Sequence, residues 1–209
     1  MARTRAAVLR GARECVLSDG TRRTTMVRIA QVAGVAKATL YNHFRAKDEV
    51  FAALVDAEVT EAAAEARELL AVAGAHTALV RTAERLGTHA VARRLAETEP
   101  GTLATLVLPG EHPGQSWSLA RETLTEVLGG GHLEAPGHSV ELALRWLVSQ
   151  LLWPSPHEEL EAMATLLLST SLPQTPVAPQ GGPVEDVVDN GLGFPRVGER
   201  IPGVLTEIH

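Results

Sequence analysis

Residues 25–47 read Thr25-Met-Val-Arg-Ile-Ala-Gln-Val-Ala-Gly34-Val-Ala-Lys-Ala-Thr-Leu-Tyr-Asn-His-Phe-Arg-Ala-Lys47, two short helical patterns hinged on a glycine. Thr25 supplies the oxygen an N-cap needs. Val27, Ala30 and Ala33, together with Ile29, then recur at helical spacing until Gly34 interrupts them. Gly34 lets the chain turn through positive φ, and Val35 is the one apolar residue available to fill the corner between two crossing helices. A second short helix is expected over residues 36–43. Ala30 and Ala33 allow it to approach closely, and Leu40 and Phe44, four apart, give it an inward stripe. Its outer face carries Lys37, Thr39, Tyr41 and His43, each able to donate a hydrogen bond to a phosphate or a base edge; an ordinary solvated face more often carries Glu and Lys. The pattern implies a helix-turn-helix at 25–44 that docks in the major groove of DNA.

The charge distribution agrees with that reading. Residues 1–47 hold ten Lys or Arg against two acids, a net +8, whereas the rest of the 209-residue chain holds nine against 23, a net −14. The overall −6 therefore conceals a basic head on an acidic body, the electrostatic footprint of a nucleic-acid reader whose body avoids the polyanion. A merely solvated surface explains scattered charge but not this segregation. Arg22 and Arg23, just before Thr25, suit either the DNA backbone or plain solvent.

Upstream, Val8-Leu9, Ala12 and Gly20 complete a first helix over about 4–18 and the turn after it. With Thr25, Ile29-Ala30, Ala33-Gly34-Val35, Thr39-Leu40-Tyr41, His43-Phe44 and Lys47, they make the first quarter of the chain resemble the DNA-binding domain of the TetR (tetracycline-repressor) family of bacterial regulators. Three positions depart from the family pattern. Ala36 stands where a Ser or Thr cap is usual, a loss of about 1 kcal/mol. Gly11 sits inside the first helix where Ala is usual, another loss of about 1 kcal/mol on helix propensity. Thr21 replaces an aromatic.

The body reads as about six further helices, near 48–73, 76–97, 102–108, 116–128, 136–153 and 157–171. Ser116 is a candidate cap for the fourth of these, Pro100-Gly101 a break before the third, and Gly129-Gly130-Gly131 a stop. Aromatics are only 3% of the chain, and Ala, Leu and Val do most of the filling, which favours helix over strand. The last two helices carry apolar residues on more than one face and so need burial against something besides their own body. A second copy of the chain is the natural candidate, two helices from each making a four-helix interface. Composition changes again at Pro173, from which onward six Pro and six Gly make a tail without a core of its own.

The expected organisation is therefore all-α, with a three-helix helix-turn-helix DNA-binding domain at 1–47, a helical regulatory and dimerisation body at 48–172 and a proline- and glycine-rich tail at 173–209. The expected function is a sequence-specific transcriptional regulator that binds double-stranded DNA as a homodimer through the helices at about 136–153 and 157–171. Lys37 and Thr39 are the candidates for base contacts, with Thr25, Tyr41, His43 and Lys47 for phosphates; Tyr41 suits partial burial equally well. The resemblance further implies a repressor acting on a palindromic operator, with a body that encloses a pocket for a small effector. The low aromatic content favours an aliphatic lining, with His89, Trp117 and Arg121 as polar-tipped candidates, although Trp117 reads as readily as core packing and Arg121 as a surface cation. The competing readings are a sequence-indifferent, architectural DNA-binding protein without an effector, and an acidic helical protein that pairs with a different protein.

Other classes have little support. The eight His residues form no metal-binding helix pair four apart, and no nucleophile elbow or phosphate-binding glycine loop occurs, so neither catalysis nor a metal or cofactor is expected. The single cysteine, Cys15, reads as a small core residue in a reducing compartment. Arg10, Arg13 and Glu14 interrupt any signal-peptide core, and the most apolar window, 142–153, is too short to span a bilayer, so a cytoplasmic location without membrane contact is expected.

Overall fold

The computed structural model of the chain describes residues 2–108, 115–131 and 135–171. The tail expected at 173–209, and His112, His132 and His209, lie outside the described residues. Within them the chain is helical throughout: α1 (Ala2–Arg23), α2 (Met26–Ala33), α3 (Lys37–His43), α4 (Lys47–Gly87), α5 (Ala90–Thr98), α6 (Pro100–Val107), α7 (Gln115–Leu128), α8 (Gly137–Leu152) and α9 (His157–Ser171). The all-α expectation, three head helices followed by a helical body, holds.

The head forms as its local chemistry requires. The Thr25 hydroxyl accepts the Arg28 backbone N–H at 3.2 Å and caps α2, and Gly34 ends that helix in the left-handed region at φ 66°. The Val35 N–H then returns to the Ala30 carbonyl at 3.0 Å, closing the corner that leads into α3. Val8, Ala12 and Cys15 of α1, Ile29 and Ala30 of α2, and Leu40 and Phe44 around α3 are buried together with Val50 and Ala53 of α4. Burial pushes the Cys15 thiol up, which suits a packed rather than a reactive group.

Gly11 is where the propensity argument fails. A Cβ at this position would lie 2.8 Å from the Ala33 nitrogen and 2.9 Å from its Cβ. The glycine is what lets α1 and α2 touch, so the loss assigned to it on helix propensity buys no looser alternative: alanine does not fit.

Helix boundaries in the body also differ from the periodic pattern. The expected helices at 48–73 and 76–97 divide elsewhere. α4 runs on to Gly87 through a bend at Gly74, where φ is 83°, and a new break falls at residues 88–89. Side chains make that break: the Thr88 hydroxyl donates to the Glu84 carbonyl at 2.8 Å, and the His89 Nδ1 accepts the Ala92 N–H at 3.2 Å as the N-cap of α5. Pro100 starts α6 instead of merely breaking a helix, its missing N–H being harmless in the first turn. Ser116 lies inside α7, where its hydroxyl donates to the Asp56 carboxylate of α4, and so is not a cap.

α4 is the spine. Its first turns belong to the head core, and beyond them it packs on α7, α8 and α9, burying Leu79, Leu124, Val127, Leu144, Leu147, Leu160 and Leu167 in one cluster. A smaller cluster of Val16, Phe51, Val91, Leu95 and Leu103 joins α1 and α4 to α5 and α6, so head and body share apolar packing. Across the body, Arg67 forks onto the Glu126 carboxylate of α7 at 2.6 and 2.9 Å.

Candidate nucleic-acid interface and body cavity

The outer face of α3 gathers most of the residues expected to meet DNA. Lys37 and Tyr41 are exposed, Thr39 and His43 half-buried. The Lys37 ammonium sits 5.8 Å from the Tyr41 ring centroid, one helical turn away, which orders two long side chains on the surface. Asn42, also exposed on this helix, carries a donor and an acceptor for a base edge and was not singled out in the sequence. Leu40 is fully buried beneath them and fixes which way the helix faces. No side chain caps α3 at Ala36.

Two of the expected phosphate ligands have structural work as well. Thr25 holds the start of α2. The Lys47 ammonium donates to the Thr21 carbonyl at 3.0 Å and lies 5.8 Å from the Phe51 ring centroid, tying the start of α4 to the end of α1. An ammonium has three donors, so two remain.

Thr21 in turn meets the body. Its backbone N–H donates to Glu99 Oε1 at 2.9 Å, its hydroxyl donates to the other carboxylate oxygen, and exposed Arg22 lies 4.0 Å away. Burial disfavours the charged form of Glu99, yet the Thr21 hydroxyl, the backbone N–H groups of residues 21 and 22 and the Arg22 charge together hold its carboxyl below the usual range. Gly20 makes room for it: at φ 76°, a Cβ there would lie 2.5 Å from the carboxylate. The sequence signal was the departure at Thr21 from an aromatic; its partner 78 residues away was not legible.

The body carries a half-open cavity of about 410 Å3. Residues of α4 through α8 line it, joined by Val16 and Thr21 of α1, and most of its wall is aliphatic. His89 and Trp117 both line it; Arg121 does not, since its guanidinium faces α8 and donates to Glu141. The polar groups on the wall are largely engaged. Because His89 Nδ1 accepts from the Ala92 N–H, its proton resides on Nε2, which donates to Glu58 at 3.1 Å. That hydrogen bond, opposed by burial and aided by the nearby charges of Arg13 and Arg85, holds the Glu58 carboxyl below its ordinary value. Arg85 is bound to Glu65 at 2.6 Å and to Glu61 at 3.4 Å. Glu58 was not anticipated as a wall residue, because only the folded chain brings it to His89, 31 residues away.

Residues 8–54 match the tetR family of bacterial regulatory proteins. Among solved structures, the chain is similar to the TetR transcription regulatory protein of Mycobacterium vanbaalenii at 24% identity, over 78% of this chain and 94% of that one, with a TM-score of 0.53. It is also similar to the TetR family repressor AlkX of a Dietzia strain at 19% identity, over 79% and 93%, with a TM-score of 0.61. FadR of Bacillus subtilis, solved in complex with stearoyl-CoA, matches at 16% identity over 78% and 95%, with a TM-score of 0.50. No curated protein matches the chain. No helix among the described residues is long and apolar enough to cross a membrane.

Proposed function

We propose, from a head that carries the DNA-binding domain of the tetR family of bacterial regulatory proteins and a body with the TetR-like helical fold, that this chain is a sequence-specific regulator that represses transcription until a small molecule fills its body. The observation that carries the DNA-reading half is the outer face of α3, where Lys37, Thr39, Tyr41 and His43 stand over a buried Leu40 on a head of net +8. Lys37 and Thr39 are assigned to base edges; Thr25, Tyr41, His43 and the remaining donors of Lys47 are assigned to phosphates. Residues 1–47 are the reading head and residues 48–172 the regulatory and pairing body.

Dimerisation is part of the reading. α8, Trp153 after it, and α9 leave Leu142, Trp153, Met163 and Leu166 exposed, the kind of surface a second copy covers. Two recognition helices about 34 to 36 Å apart would then enter successive major grooves of an inverted repeat. The cavity supports the effector half of the reading: its wall includes Thr21 at the end of α1 and Phe51, Leu54 and Val55 on the head-proximal turns of α4, so filling it acts on the helices that carry the head.

Selection of bound sequences from a random DNA pool at near-physiological salt tests this reading. An inverted repeat is the expected recovery, and Lys37→Ala should relax preference at one position of each half-site, whereas Lys47→Ala weakens binding to all sequences alike. DNA retention without any recovered motif would replace the reading with sequence-indifferent binding.

A further inference from the structure

Besides the continuous α4, the head meets the body through apolar packing and through a buried carboxylate. The cluster of Val16, Phe51, Val91, Leu95 and Leu103 resists separation, but apolar attraction has no direction and tolerates sliding. The Arg13–Glu58 pair, 3.6 Å apart with the Arg13 side chain 44% exposed, is a solvated link worth little. Glu99 is different. It is 7% exposed and stands at the joint between α5 and α6, where its N–H donates to the Leu95 carbonyl at 2.7 Å and its carbonyl accepts the Leu103 N–H at 3.1 Å. Its backbone is thus fixed to two helices of the body, while its side chain ends in the head.

On the head side, Thr21 has three hydrogen-bonding groups and each is engaged. The N–H and the hydroxyl donate to the two carboxylate oxygens of Glu99, and the carbonyl accepts the Lys47 ammonium at 3.0 Å. Two parallel bonds fix orientation as well as distance, which a single bond does not. Gly20, at φ 76°, breaks α1 beside this contact, and the Thr24 hydroxyl holds the break by donating to the Gly20 carbonyl at 2.6 Å. Through Thr21 the same carboxylate reaches the start of α4 and Lys47, a side chain assigned above to DNA phosphate.

We propose that Glu99 is a positioning residue for DNA reading, a carboxylate of the body that contacts no DNA and, by holding Thr21 at both its N–H and its hydroxyl, sets the direction in which the head leaves the body. This rests on the reading of the chain as a homodimer on an inverted repeat and adds the residue that makes the dimer selective for the distance between half-sites. Moving one half-site by a base pair shifts it by about 3.4 Å and turns it by about 35° around the DNA axis. A head that follows must give up its contact with Glu99. A head without that contact follows at less cost, and a hydrogen bond to a buried carboxylate is worth about tenfold or more in such a preference.

The test selects, with full-length protein at near-physiological salt, from a DNA pool in which the half-site recovered from random sequence faces its inverse across spacers of every length within one helical turn. The wild type should favour one spacer over its neighbours by about tenfold or more. Thr21→Val, which loses only the hydroxyl donor, and Glu99→Ala, which loses both acceptors, should each forfeit most of that preference. Thr21→Ser keeps the donor and should keep the wild-type spacer profile. So should Leu128→Val, which loosens the other core cluster of the body without touching the contact and so separates positioning from lost stability. An unchanged profile in Thr21→Val or Glu99→Ala, a broadened one in Thr21→Ser or Leu128→Val, or a wild type indifferent to spacer length would each overturn the role of Glu99 and leave the reading of DNA standing. Failure of the wild type to recover any inverted repeat would remove the dimeric reading, and the positioning role with it.

Discussion

Gly11 and Glu99 carry more of this fold than their residue types suggest. For Gly11, two effects of opposite sign compete: alanine gains about 1 kcal/mol of helix propensity, but its methyl group meets the backbone of α2 near Ala33, which cannot swing aside as a flexible side chain would. Overpacking of this kind costs about 1 to 3 kcal/mol, so Gly11→Ala should lower the denaturant midpoint of the protein despite its better propensity. An unchanged or raised midpoint would show that α1 and α2 can separate. For Glu99, the folded carboxyl sits below its ordinary value of 4.5, so the carboxylate binds protons more readily in the unfolded chain. Its contribution to stability is therefore complete above about pH 4.5 and is lost as pH falls through the lower, folded value. Glu99→Gln should destabilise the protein at pH 7 by about 1 to 3 kcal/mol, the worth of hydrogen bonds to a buried charge, and should flatten the stability profile below pH 4.5. Thermal melts of both proteins from pH 3 to 7 compare the slopes; parallel profiles would mean that Glu99 is not the group titrating.

α3, the proposed recognition helix, is the element with the most to gain from one atom. α3 is seven residues long and follows Ala36, whose extended backbone (φ −64°, ψ 143°) already has the geometry of an N-cap but offers no side-chain acceptor. Ala36→Ser supplies one and should stabilise the head by about 1 kcal/mol, read as a higher melting temperature with the fold otherwise unchanged. The missing cap was legible in the sequence because capping is a local matter, as were the Thr25 cap, the Gly34 turn and the Leu40–Phe44 stripe. What the sequence concealed lies at longer range. Helical periodicity runs without interruption past residues 88–89, yet Thr88 and His89 divide the helix there by satisfying its backbone groups themselves. Ser116 has the chemistry of a cap but found a partner 60 residues away in Asp56. Arg121 matched a pocket cation in type and turned to Glu141 on the neighbouring helix instead.

At the scale of the whole molecule, the proposed reading of an inverted repeat needs two heads at a fixed separation, which the proposed pairing through α8 and α9 would set. The exposed apolar residues there are unequal in what they can test. Leu166 is 58% exposed and lies in the middle of α9, away from the buried Leu160, Ala164 and Leu167 of the same helix. A carboxylate at that position remains in water in the isolated chain, so Leu166→Glu should change the stability of a lone subunit by no more than about 0.5 kcal/mol. In a two-fold interface the same substitution places an unpaired charge against the partner twice over, a penalty of several kcal/mol if the site is dry. The variant should therefore sediment as a folded monomer at about micromolar concentration, with an unchanged far-ultraviolet circular dichroism spectrum. Its affinity for an inverted repeat should fall to that of a single half-site, because the second head no longer arrives as part of the same molecule. A variant that stays dimeric and keeps its operator affinity would move the interface away from α9, and with it the account of how two copies of this chain hold their recognition helices one helical turn of DNA apart.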